Sequence, residues 1–564
     1  MAGAAHRIDL GEVMRWMGPI LGPERGFYAL AIAYGIGISL LTLATPISVQ
    51  LLINSIAYTA LPAPLFTLAF VLFALLLLAG GLSLLRNHVM ELFRRRFMAR
   101  LVAEVTVKAI NAANPFFADE RRIDLFNRYF ELINVQKNLP TLLIGGFTII
   151  LQAAVGFTVT AFYHPFFLAF NLVVIALIGL IWVLWSRGAI RSAIALSHCK
   201  YDAAHWLESV GASNGFYKSP RHRDYAMDRA EAVIADYVSA HRRHYRWTLP
   251  QAVAFVVLYA AASAGLLALG GWLVIQEQLS IGQLVAAELI LSGAFYGVSQ
   301  LAYYLETWYG LIASVEELAL LYALPQETPP QVPGVSARGA ALGFHNVRFQ
   351  HFGAPVRLDL AIPEGARLIA QGDPGLERCF SNLLKRHTRP DSGIVTLGGV
   401  DIAAMDVLLL RRDIVVLDRP NIVEATIEEY LRLANPDAEA EAMLKALELV
   451  GLDDRIALLA DGLQTNLSFT GWPLSVGKTM QLKLAAAILS RPRILVLSPL
   501  YDMVSLRRMR AVFDHFAGTG TTIVHFSNRP EDLSGDGYLW VGREHQAIVA
   551  DRGAFDALRE GDVR

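Results

Sequence analysis

Hydrophobic and polar positions fall in long blocks along this chain. From Phe27 to Leu85 there is no charged residue and no histidine. Pro62 and Pro64 interrupt that run, which predicts two spans, about Phe27 to Ile56 and Pro64 to Leu85. Each is long enough to cross a hydrocarbon core of roughly 30 Å. A second apolar block, Leu142 to Trp185, breaks at His164-Pro165 into spans three and four. Ala252 to Ile275 and Ile281 to about Leu305 give spans five and six. Two charged blocks lie between, Arg86 to Lys137 and Arg187 to Arg246, with few turn residues. The spans are therefore expected to continue as helices well beyond the membrane. Pro325, Pro329, Pro330 and Pro333 mark a linker. From Leu342 short apolar strands alternate with helices, the pattern of an α/β domain. The expected division is an amphipathic elbow at 1–26, a six-span α-helical membrane domain at 27–322, a linker at 323–341 and an α/β domain at 342–564.

Composition agrees with that division. The chain has 564 residues, 54% of them hydrophobic and only 18% charged, and its mean hydropathy is +0.41. Such values fit a membrane protein with a sizeable water-facing part. A net charge of −1 argues against a bulk nucleic-acid binder. Both long polar blocks are basic, while the connections Ala57–Ala63, Tyr163–Pro165 and Gln276–Ser280 carry no Lys or Arg. The positive-inside rule then places both termini, both long loops and the α/β domain in the cytosol of a multi-pass inner- or plasma-membrane protein. Charges scattered through Met1–Gly26 leave no signal-peptide core. Cys199 and Cys379 read as free thiols, with no disulfide, zinc framework or other metal site expected.

Candidate chemistry starts between Arg367 and Leu384. An apolar strand, Leu368 to Ala370, enters a turn with Gly372 and Gly375, and an amphipathic helix follows. That is the layout of a phosphate-binding loop, G-x-x-x-x-G-K-[ST]. Its chemistry is altered. Glu377 takes the place of the last glycine, Arg378 that of the lysine and Cys379 that of the magnesium-binding hydroxyl. Taken alone, the stretch reads as a strand–turn–helix with two incidental glycines. Gly477-Lys478-Thr479 also ends like such a loop, but Trp472 occupies the required glycine position.

Six spans, two long helical loops and a C-terminal P-loop NTPase-like α/β domain resemble the ABC exporter half-transporters, and the resemblance runs motif by motif. His351 falls at the adenine-stacking tyrosine. Asp391-Ser392-Gly393 and Leu397 to Ile402 match the segment after the P-loop helix. Arg419 lies near the Q-loop glutamine. Leu474-Ser475-Val476-Gly477-Lys478 matches the L-S-G-G-Q signature at three of five positions. Ile494 to Leu497 matches the Walker B strand, with Ser498 and Pro499 in place of its Asp and catalytic Glu. Ser505 replaces the D-loop aspartate, and Asn528-Arg529 stands at the switch histidine. So many landmarks in order imply a P-loop descendant, a degenerate ABC nucleotide-binding domain with no catalytic residue intact.

The resemblance implies the non-catalytic half of an exporter, with ATP hydrolysis supplied mainly by a partner chain. A heterodimer is favoured over a homodimer. ATP and magnesium have a place at a site shared with that partner, through Ser475 and Gly477; this chain alone is assigned no cofactor, and residual nucleotide binding at His351, Gly372, Gly375, Arg378, Cys379 and Arg419 stays open. Two further readings stay open: an ATP-independent membrane scaffold or regulator, and an active homodimeric transport ATPase. The substrate is not legible. Asp124 and Arg128 resemble the stretch near the first coupling helix of such exporters, and Glu208 lies in the region similar to the second. Glu288, the one Asp, Glu, Lys or Arg inside the six spans, is expected to face a central cavity rather than lipid.

Overall fold

The computed structural model describes residues 10–58, 63–113, 120–327, 335–530 and 535–562. The breaks expected at Pro62 and at Pro329 to Pro333 lie outside them. The chain forms two compact units: the first holds the residues up to Gln326 except Ala113–Pro115, and the second holds Ala113–Pro115 with the residues from Glu327 on.

The first unit is helical. Among the described residues, six helices are long and apolar enough to cross a membrane. The expected first span is not one rod: helices Arg25–Leu41 and Ala44–Tyr58 meet at a turn. Pro46 explains the break, because it has no N–H to donate to Thr42 and tolerates only the first turn of a new helix. Helix Ala63–Ile110 runs 48 residues, Pro165–Ala212 another 48 and Pro220–Ile275 56. At roughly 1.5 Å per residue these are about 70 to 85 Å long, more than twice a bilayer core, so the charged blocks are continuations of the spans. The third span is irregular. Helix Glu131–Thr141 passes through a π turn, Leu142–Gly146, into helix Phe147–Ala161. Pro140 removes one ladder donor there, and Phe147 N–H reaches back five residues to Leu142 O. The sixth span, Ile281–Tyr322, opens with a capping box between Ser280 and Gln283.

Buried polar groups tie the charged stretches of these helices together. Glu24, almost fully buried, pairs with Arg96 at 3.3 Å and Arg100 at 3.1 Å. Glu131 accepts from Lys200, from Tyr201 Oη at 2.8 Å and from Ser314 Oγ at 2.5 Å, joining three helices at one carboxylate.

Among its described residues the second unit has twelve strands: β1 (Leu342–His351), β2 (Ala354–Ile362), β3 (Arg367–Gly372), β4 (Ser392–Leu397), β5 (Val400–Asp401), β6 (Ile414–Leu417), β7 (Ala425–Thr426), β8 (Asn466–Leu467), β9 (Ile494–Leu497), β10 (Thr522–Phe526), β11 (Gly537–Val541) and β12 (Gln546–Val549). An antiparallel sheet has the order β2-β1-β4-β5, a largely parallel one the order β12-β11-β3-β10-β9-β6, and β7 pairs with β8. β9 and β10 are buried along their whole length, as strands of a sheet covered on both faces must be.

Candidate nucleotide site of the second unit

Strand register gathers those candidate residues of this unit that follow parallel strands. Leu417 pairs with Leu497, Leu497 with His525, and Phe526 with Ala370. The segments after β6, β9, β10 and β3 therefore emerge along one edge, at the carboxyl ends of parallel strands where α/β sheets bind ligands. Arg378, Arg419, Ser498, Pro499 and Asn528 line a single cleft of about 400 Å³ there, together with Glu377 and Asp418.

The loop after β3 turns at Gly375, whose φ of +86° is a left-handed conformation that only glycine adopts cheaply. Helix Leu376–Leu384 starts next. Leu376 and Phe380 are buried in the core, which fixes the helix against the sheet. Leu376 N–H donates to Asp373 O and Cys379 N–H to Gly375 O. Among the described residues, the N–H groups of Glu377 and Arg378 make no backbone hydrogen bond to the preceding loop, so two donors of the helix start remain for an anion. The Arg378 side chain is exposed and adds positive charge. Glu377 sets a carboxylate in the same cleft, against phosphate.

His351 does not stand clear of this loop. Its Nε2 lies 3.3 Å from Pro374 O and its Nδ1 3.2 Å from Cys379 Sγ. A consistent proton assignment has Nε2–H donating to the carbonyl and the thiol donating to Nδ1. Burial, reinforced by the Glu377 carboxylate, pushes the Cys379 thiol above its ordinary pKa. The thiol therefore stays protonated and tied to the histidine. Neither cysteine is in a disulfide.

At the end of β9, Ser498 Oγ is buried without a hydrogen-bond partner among the described residues, and Pro499 follows. Magnesium takes hard oxygen ligands in near-octahedral order. A histidine-bound thiol, one enclosed hydroxyl and a proline do not fit that requirement.

One residue that the motif spacing did not single out holds the segment Ser527 to Arg529, expected as the switch. Asp502, three positions before the expected Ser505, accepts from Ser527 Oγ and Asn528 N, each at 2.8 Å, and its carbonyl accepts from Arg529. Gln371 adds a bond to Ser527 O at 3.0 Å. The signal was a lone acidic residue just after a buried strand, which spacing does not distinguish from a solvated one. Ser505 starts helix Leu506–Phe516 without a side-chain cap.

The signature residues lie outside this cleft. Leu474 is buried, and Ser475 heads the 15-residue helix Val476–Ser490. Ser475 makes no side-chain cap, so its exposed hydroxyl and the helix start both remain available. Nothing lies within 4 Å of a Cβ built on Gly477, whereas Val476 is exposed beside it. Lys478 reaches Gly451 O at 3.4 Å. The Arg419 carbonyl accepts from Lys483 at 2.6 Å; burial lowers the pKa of that ammonium to about 8.

In the first unit, Arg128 donates to the buried Glu317 at 2.7 Å, and His198 lies 3.1 Å from Glu316 and 3.8 Å from Glu317. The three ligand-bearing groups His198, Glu316 and Glu317 come within 4.8 Å of one another. Asn127 donates to Glu208, linking the two expected coupling regions. Asp124 is in the 3-10 helix Glu120–Phe130, and its side chain lies outside the described part of the molecule. Glu288 is half-buried, and its Oε2 is enclosed without a partner among the described residues.

No family model matches the chain. It is 22% identical over 570 residues to the leukotoxin translocation ATP-binding protein LktB of Mannheimia haemolytica, covering 97% of this chain and 79% of that protein. Over the same shares it is 24% identical to the LktB protein of Bibersteinia trehalosi. Among solved structures it is similar to one described as a bacterial Atm1-family ABC exporter with ATP bound. The TM-score is 0.80 at 20% identity, over 95% of this chain and 97% of that one.

Proposed function

We propose, from the premise that this chain has the fold of an ABC exporter half-transporter over nearly its full length, that it is the non-catalytic half of a two-chain exporter. The observation that carries the reading is Ser498-Pro499 at the end of β9. A working cassette of this fold needs a carboxylate there for magnesium and another group to orient water. Neither residue supplies one, so this chain's own Walker residues perform no metal-assisted step. The free Ser475 hydroxyl at a helix start supports a complementary role, contributing to a γ-phosphate held by the Walker motifs of a partner. The relatives named above are described as translocating a leukotoxin, which supports export of a cargo by this chain as well.

The test is the Mg-ATP turnover of the purified chain. None above background is expected, and Arg378→Ala is expected to change nothing. Magnesium-dependent turnover that Arg378→Ala abolishes would sink the reading.

One observation favours the scaffold reading as runner-up. His351 lies on the phosphate loop with both ring nitrogens engaged, where a nucleotide would have to displace it. A stable complex with a second half-transporter that shows no turnover with either chain's cassette would select it.

A further inference from the structure

A groove of about 500 Å³ lies between helices Pro165–Ala212 and Pro220–Ile275 in the first unit. Trp185 and Trp247 line it, with Arg191, Arg243 and Arg246, and no acidic side chain does. None of the three arginines forms a salt bridge or side-chain hydrogen bond among the described residues, and all three are exposed. The groove is built rather than incidental. The Trp247 indole lies flat on Gly188, where a Cβ would come within 2.4 Å of the ring. Any larger residue at 188 would push the ring out.

Its depth follows from the chain. Trp185 is 20 residues beyond Pro165, about 30 Å along the helix at roughly 1.5 Å per residue, which is the thickness of the hydrocarbon core. On the neighbouring helix Trp247 stands five residues before the apolar run that starts at Ala252. Both indoles therefore sit at the boundary between apolar and charged halves, the level of a membrane aromatic belt. The arginines lie beyond it by up to six residues, or about 9 Å, in the headgroup layer. Unpaired guanidiniums prefer phosphate, which they bind through two N–H groups at once.

We propose that this groove is a binding site for an anionic phospholipid of the leaflet on the basic side, its phosphate held by Arg191, Arg243 and Arg246 and its glycerol and upper acyl chains against Trp185 and Trp247. An ammonium-bearing zwitterionic headgroup brings its own positive charge to the same guanidiniums and is disfavoured. The inference stands on the groove alone and does not depend on whether the cassette hydrolyses ATP.

The full chain, reconstituted in nanodiscs of phosphatidylcholine with graded phosphatidylglycerol, tests it by native mass spectrometry of retained lipid. Wild type is expected to retain phosphatidylglycerol preferentially. Changing the three arginines together to glutamine should remove that preference, by about fivefold per residue lost. Changing them to lysine should keep part of it, which separates charge from folding. Arg242→Gln, exposed on the same helix but outside the groove, should do nothing. Equal retention of both lipids, or an equal loss from Arg242→Gln, would overturn the proposal. So would displacement of the lipid by millimolar inorganic phosphate, which would assign the site to a free anion. A disulfide between two copies of Arg243→Cys that excludes lipid would assign the groove to an interchain contact instead.

Discussion

His525 is the least comfortable residue of the second unit. It is fully buried on β10, neither ring nitrogen has a hydrogen-bond partner among the described residues, and Asp502 Oδ1 stays 3.6 Å away. Burial outweighs the pull of Asp502 and lowers its pKa to about 4. The unfolded chain binds that proton at about pH 6.5, so stability is complete above 6.5 and falls as the pH drops toward 4. His525→Leu, an apolar side chain close to it in volume, removes two unsatisfied polar atoms from the core. It should raise stability by about 1 kcal/mol at pH 7 and by more at pH 5, read as thermal unfolding followed in the cassette. A loss of stability at both pH values would show that the ring has a partner. Cys379 gives a second check on a single side chain. With its thiol pushed up by burial, alkylation should be slow at pH 7.5 and accelerate only above the usual thiol range, followed by peptide mass spectrometry. Rapid labelling at neutral pH would mean the His351 contact does not hold.

Among the elements, the helical unit is held by close backbone approach and by shared carboxylates. A Cβ at Gly145 would come 2.2 Å from Tyr304 Oη, because the π turn brings its glycines against the sixth span. Gly145→Ala should cost about 1–3 kcal/mol from overpacking, and the cost should vanish in a Tyr304→Ala background. Equal penalties in both backgrounds would place the strain elsewhere. Glu131 is the second clamp. Removing its carboxylate leaves Lys200, Tyr201 and Ser314 without their acceptor, and Lys200 is half-exposed and can turn to water. Glu131→Ala is therefore expected to cost about 3 kcal/mol, the low end for breaking a buried pair. Hydrogen exchange should rise around Lys200 and Ser314 together; a rise in one helix only would contradict a shared clamp.

For the whole molecule, the decisive experiment uses two chains. If the signature of this chain completes a site on an intact partner, Ser475→Arg should stop turnover of the complex although the partner supplies every Walker residue. An unimpaired complex would leave the signature without that role, and a stable homodimer from native membranes would remove the heterodimer itself. Glu288→Gln belongs to the same assay. Its enclosed Oε2 has no partner among the described residues, and reduced transport with normal assembly is expected if it faces cargo. Unchanged transport would make it a structural carboxylate.

Block hydropathy is enough to specify six membrane-length helices and an α/β domain, because a span must be apolar over about 20 residues and a covered strand over four or five. Glycine spacing and strand order marked the loop at Gly372 and Gly375, and Cys379, Ser498 and Pro499 are legible as bare residue identities. The break before Pro46 and the π turn after Pro140 were carried by those prolines, but hydropathy averages over such local hydrogen-bond losses. What those residues touch was settled by tertiary packing. His351, matched by its position to an adenine-stacking residue, lies on the Gly372–Gly375 loop with both ring nitrogens engaged. Asp502 holds Ser527 from 25 residues away, and three arginines on two helices meet two tryptophans across one groove. Such juxtapositions depend on the register of strands and the rotation of helices, and one-dimensional spacing does not contain them.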